Sequence, residues 1–105
     1  MAKCTINGGA CRIETVVEAK KENNRKIIVK IKTECKNLQK LAEQLHEINP
    51  YEEIPRRLKA TKICELATEF LPHPSCPVPS GILKTIEVEA GLALPQTATI
   101  KVEKN

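Results

Sequence analysis

The first thirty residues alternate polar and apolar positions. Lys3, Cys4, Thr5 and Ile6 have period two, which places Cys4 and Ile6 on one face of a strand. Asn7-Gly8-Gly9 follows and signals a turn. Next, Ile13, Thr15, Val17 and Ala19 share one face, while Arg12, Glu14, Glu18 and Lys20 share the other. A polar turn spans Lys21 to Arg25. Beyond it Ile27, Val29 and Ile31 alternate with Lys26, Lys30 and Lys32. The three segments predict an antiparallel meander with one face in water. Val16 and Ile28 fall on the polar face and mark a candidate partner surface.

The period then lengthens. Leu38, Leu41, Ala42, Leu45 and Ile48 keep helical spacing and predict an amphipathic helix that ends at Asn49-Pro50. Residues 51–60 are ambiguous. The Glu52–Arg56 and Glu53–Arg57 spacings predict surface ion pairs. Ile63, Leu66, Ala67, Phe70 and Leu71 predict a second helix, stopped by Pro72. His73-Pro74-Ser75-Cys76-Pro77-Val78-Pro79 reads as a rigid loop, with Pro79 in the first turn of a third helix. That helix carries Ile82, Leu83, Ile86 and Ala90, and Gly91 is its C-terminal cap. After Pro95, Ala98, Ile100 and Val102 alternate with Thr99, Lys101 and Glu103, a final predicted strand. The expected fold class is α+β: a single, mostly antiparallel sheet of the N-terminal meander plus a C-terminal strand. About three helices pack on one of its faces. Residues 1–105 form one domain, without repeat or linker.

Composition narrows the function classes. The chain has 105 residues, enough for one core without staples. It contains one Phe, one Tyr and no Trp, so the core must be aliphatic. The same scarcity argues against nucleic-acid modules that stack bases on aromatic side chains. Net charge is +4, and Lys and Glu are interspersed, so no basic stripe suggests nucleic acid. No apolar run is long enough for a membrane span, and the start has no signal-like apolar region. A cytoplasmic location is therefore expected, where thiols stay reduced.

Five cysteines, an odd number, cannot all pair internally. Cys4 lies within a strand and reads as a packing residue. The other four sit near element ends. Cys11 follows the Gly8-Gly9 turn, Cys35 precedes the first helix, Cys64 opens the second, and Cys76 lies in the Pro-rich loop. Helix N-termini favour thiolates. Gly8 and Gly9 can turn backbone amides toward an anion, so both are candidate cofactor-binding residues. Thiolates beside amides in a reduced compartment suit a 4Fe–4S cluster on Cys11, Cys35, Cys64 and Cys76, with zinc the alternative metal. None of the intervals is the short C-x-x-C pair that marks most metal sites. His73, three residues before Cys76, is either a further ligand or bonded within its loop. No acid/base dyad or phosphate-binding loop is present.

The stretch HPSCPVPSGILKTIEVEAGLALP, residues 73–95, resembles a small uncharacterised family of anaerobic bacteria and methanogenic archaea. Its other landmarks here are the Gly-rich turn before Cys11, Cys35 ahead of the first helix, and Asn49-Pro50-Tyr51-Glu52-Glu53-Ile54. The resemblance implies that Cys11, Cys35, Cys64 and Cys76 belong to the family pattern and that Cys4 is incidental. It implies no established activity. An anaerobic setting would suit an oxygen-sensitive cluster.

Three function classes follow as expectations. The first is a metal-binding protein with a 4Fe–4S cluster, serving electron transfer to a redox partner protein or an accessory role in anaerobic metabolism. The second is a thiol-dependent enzyme or carrier using Cys76 or Cys35. The third is a protein–protein adaptor without a metal.

Overall fold

Period-two burial runs through the first part of the chain and produces three strands. They are β1 (Ala2–Asn7), β2 (Glu14–Asn23) and β3 (Lys26–Lys32). The computed structural model describes residues 1–105. Cys4 pairs with Val17 and Ile6 with Thr15 across the first two strands, and Ala19 pairs with Val29 across the next. All three pairings are antiparallel, so the apolar rows of adjacent strands meet on one face. On the other face Glu18 stands between Lys3 and Lys30, and its carboxylate lies 3.2 Å from Lys32 Nζ. Val16 and Ile28 are half-buried on this wet face.

Four helices follow: α1 (Lys36–Glu43), the single turn α2 (Pro50–Glu53), α3 (Lys62–Phe70) and α4 (Val78–Glu89). The packing of α4 on β1 and β2, and of α1 on β3, covers the apolar face, with α3 packed against both helices. The buried core is wholly aliphatic, from Ile6, Val17 and Ile27 in the sheet to Leu41, Ile63, Ile82 and Ile86 in the helices. The expected α+β architecture is present, with two changes of detail.

First, the helix expected through Ile48 stops at Glu43. The amides of Gln44 and Leu45 bond to carbonyls three residues back, which tightens and ends the helix. Leu45 and Ile48 are buried as their spacing requires, but outside a helix. The His46 carbonyl accepts the Val29 N–H at 3.0 Å, and Glu47–Ile48 form the short strand β4 beside Ile28 and Ile27. Second, the fourth strand is β4 and not residues 98–103. Those residues form no regular structure and are exposed. Their alternation suits a strand, but no edge of this chain's sheet pairs with them.

Pro79 and Gly91 bracket α4 as expected. Gly91 adopts φ +76°, a left-handed conformation that glycine reaches at little cost. Gly81 sits inside α4 for another reason. A Cβ there would collide with the Ile6 side chain, so the missing side chain lets the helix lie close on β1. The direction of α4 follows from its two ends. Gly81 lies over Ile6 and Cys4, while Glu89 accepts the Lys21 N–H at 2.7 Å and lies 3.5 Å from the Met1 amine. The helix therefore begins at the Asn7 end of β1 and runs back toward its start.

At the junction of β3 and β4, Lys26 Nζ lies 3.1 Å from Glu47 and 3.3 Å from Glu22. Hydrogen bonds to Glu47 and then to Glu22, with their negative charge, raise the Lys26 pKa above the ordinary 10.5. The stabilisation from this raised value is fully present below pH 10.5 and fades as pH rises through the folded-state value. Lys26 is at the surface, so the effect is small. Denaturation midpoints of wild type and Lys26→Met followed into alkali should converge above that range.

Candidate functional site

Three loops lie at the end of the sheet formed by Asn7, Glu14 and Lys32. The first joins β1 to β2. Asn7 Oδ1 accepts the Gly9 N–H at 2.8 Å, residues 9–11 make one 3₁₀ turn, and Gly8 N–H closes on the Ile13 carbonyl at 3.0 Å. Arg12 takes a left-handed conformation with φ 58°. The Cys11 thiol folds back over Gly8, where any Cβ would strike it. Cys11 as a residue stays exposed.

The second loop leads from β3 into α1. Thr33 Oγ1 accepts a hydrogen bond from the Thr15 hydroxyl at 2.9 Å and one from the Cys35 N–H at 3.1 Å. Gln39 N–H bonds the Cys35 carbonyl, and its side-chain amide bonds the Thr33 carbonyl. Cys35 is thus clamped through its backbone at the N-cap of α1, while its thiol makes no capping bond. The residue is half-buried against the core. The pattern expected from the sequence does not include the Thr33 clamp. A Thr two residues before a helix N-cap is a local signal for it.

The third loop precedes α4. Cys76 N–H bonds the His73 carbonyl at 3.4 Å, and Cys76 packs half-buried against the core. His73 contributes its carbonyl to this turn, and its side chain is at the surface. Because α4 starts at the Asn7 end of β1, Cys76 lies at the same end as Cys11 and Cys35. An open polar groove of about 410 Å³, lined by Arg12, Ile13, Glu14, Lys32, Thr33 and Glu34, runs between the first two loops.

Cys64 lies elsewhere. Its helix starts next to Glu53, which follows β4 and so belongs to the opposite end of the sheet, beside Ile27. The Glu53 carboxylate is 1% exposed and accepts the N–H groups of Lys62 and Ile63, both at 2.9 Å. Thr61 Oγ1 accepts the Cys64 N–H at 3.1 Å. The free amides of the first turn of α3 are therefore already occupied, and a carboxylate already complements the positive helix end. This arrangement also replaces the expected surface pairs. Glu53 faces a helix N-terminus and not Arg57, and Glu52 makes no ion pair with Arg56. Burial of Glu53 has no local signal in the sequence, since its partners lie nine and ten residues ahead.

All five cysteines are free thiols. Cys4 lies in β1 on the helix-covered face, next to Gly81, and packs against the core as expected. No group of three or more His, Cys, Asp and Glu side chains stands close enough to hold a metal ion. The donor chemistry of Cys11, Cys35 and Cys76 fits a thiophilic metal, but the thiols are not gathered around one point. Gly8 and Gly9 direct their amides to Ile13 O and Asn7 Oδ1, inside their own loop.

Fold and sheet end define a small four-stranded antiparallel α+β protein that carries unpaired thiols on its loops. The chain belongs to a family of unknown function, DUF6951, whose profile matches residues 2–102. No curated protein and no solved structure matches it. No helix is long and apolar enough to cross a membrane.

Proposed function

We propose that this chain is a small thiol-based metal-binding protein, with Cys11, Cys35 and Cys76 as its working residues and a 4Fe–4S cluster as its first-choice centre. The observation that supports this is the common position of those three residues, brought by three separate loops to one end of the sheet. Two of the three loops lead into helix N-termini, where negative charge is favoured. A cluster bound there would supply one-electron chemistry, and zinc would supply a structural link instead. A redox partner protein and the anaerobic setting implied by the resemblance belong to the same reading. Uptake requires the loops to close on the metal, because the thiols now stand apart. Cys64 joins as a fourth ligand only if α3 shifts from its Glu53 cap, so the proposal rests on the other three.

That separation favours a second reading, in which Cys35 or Cys76 acts as a single reactive thiol in an enzyme or carrier.

Protein purified without oxygen separates the two. The metal reading expects stoichiometric iron and a broad visible absorption band, both lost in Cys11→Ser, Cys35→Ser and Cys76→Ser and kept in Cys4→Ala. Metal-free, folded protein in which one thiol alkylates far faster than the rest would replace it with the second reading. Iron retained by Cys76→Ser would remove Cys76 from the site.

A further inference from the structure

We propose that residues 98–103 of one copy of this chain add as a strand to the free edge of β1 in a second copy. The two halves of such a contact are both present and both unused. One is a strand without a sheet. Ala98, Ile100 and Val102 alternate with Thr99, Lys101 and Glu103. Lys101 Nζ lies 2.9 Å from the Glu103 carboxylate, which puts this i, i+2 pair on one side of the backbone. Ile100 and Val102 remain 77% and 88% exposed. With Leu92 and Leu94, they make residues 92–102 the main concentration of exposed large apolar side chains in the molecule. Single exposed apolar residues are ordinary, but a run of them is not.

The other half is a sheet edge without a neighbour. The sheet order is β1-β2-β3-β4, so β1 and β4 are its two edges. The β4 edge is guarded, since that strand has only two residues and Pro50 follows closely. The β1 edge is six residues long, has no proline, and carries one charged side chain, Lys3. It offers a row of unpaired backbone groups of the kind that accepts an added strand.

The two fit by length, face and charge. Residues 98–103 equal the six residues of β1 in length. In an antiparallel register with Val102 opposite Cys4, Ile100 falls opposite Ile6 and Glu103 opposite Lys3. The apolar row then continues the helix-covered face. The polar row continues the wet face, and the acidic side chain meets the edge lysine. In this structure the segment does not lie on its own β1, so each copy has a strand to give and an edge to fill. Reciprocal exchange closes as a two-fold dimer in which both copies of β1 are paired.

The test uses the full chain under excess reductant, so that disulfides contribute nothing. Light scattering should give twice the 11.7 kDa chain mass for wild type. The double variant Ile100→Lys with Val102→Lys should give the mass of one chain. Neither residue belongs to the core, so far-UV circular dichroism of the variant should show an intact fold. Hydrogen exchange should show the outward amides of β1 protected in wild type and unprotected in the variant. A dimer that survives the double substitution overturns the proposal. So does a monomeric wild type. If that monomer nevertheless protects β1 and loses the protection on substitution, the segment pairs with its own chain and the second copy is excluded.

Discussion

Glu53→Ala should lower the unfolding free energy by at least about 3 kcal/mol, from the loss of two hydrogen bonds to a charged acceptor worth roughly 1.5–3 kcal/mol each. The carboxylate is buried and its two oxygens serve two different amides, those of Lys62 and Ile63. Alanine leaves the buried Ile63 amide without a partner and the part-buried Lys62 amide to water. The cost includes desolvation of the Ile63 amide as well as the lost bonds. Glu53→Gln should be nearly as damaging. Its amide keeps one acceptor oxygen and points an N–H group at a backbone N–H. Chemical denaturation of wild type, Glu53→Ala and Glu53→Gln measures the effect, with Glu52→Ala as the exposed neighbour. If Glu53→Ala lies within about 0.5 kcal/mol of wild type, as surface substitutions do, the cap on α3 contributes little.

Ile82→Ala should cost about 3–4 kcal/mol, within the usual range for removing a buried branched side chain and leaving a cavity. Ile82 is fully enclosed in the core, on the helix that packs against β1 and β2. Next to it, Gly81 holds the helix close to Ile6, so the surroundings have little room to collapse into the gap. For a domain of this size the loss corresponds to a fall in Tm of about 12–25 °C. Ile100→Ala removes atoms from a residue that is 77% exposed and should change the stability of the folded domain by less than about 0.5 kcal/mol. A consequence extends to the loop. The start of α4 positions Cys76, so alkylation of Cys76 should be faster in Ile82→Ala than in wild type. Equal rates would mean that the loop is ordered independently of the helix.

Much of the fold can be read directly from the chain. The meander is encoded by alternation and by Asn7-Gly8-Gly9, features that operate over neighbouring residues. Ile63 and Leu66 mark the buried side of α3, and Pro79 and Gly91 bound α4. The region around Leu45 and Ile48 shows where such reading stops. Their spacing reports that both are buried, and a turn followed by a strand buries them as well as a helix does. The choice is made by the bond from Val29 to the His46 carbonyl, a partner far away in the chain. Residues 98–103 show the same limit from the other side. Alternation prepares a strand, but a strand exists only when another backbone accepts its hydrogen bonds.

The candidate site divides along the same line. That Cys11, Cys35 and Cys76 sit on loops beside turns and helix starts follows from turn residues and periodicity. Cys4 as a packing residue follows from its place in an alternating strand. Which end of the sheet each loop occupies depends on the course of the chain through α2 and α3. That course carries Cys64 to the far end, where Glu53 holds the start of its helix. By itself the sequence determined which faces are apolar and where the chain turns, because side-chain periodicity and turn propensity are local. Tertiary structure alone decided which backbone groups pair, which carboxylate is buried and which thiols share an end. Those outcomes depend on hydrogen bonds and packing between residues that local pattern does not connect.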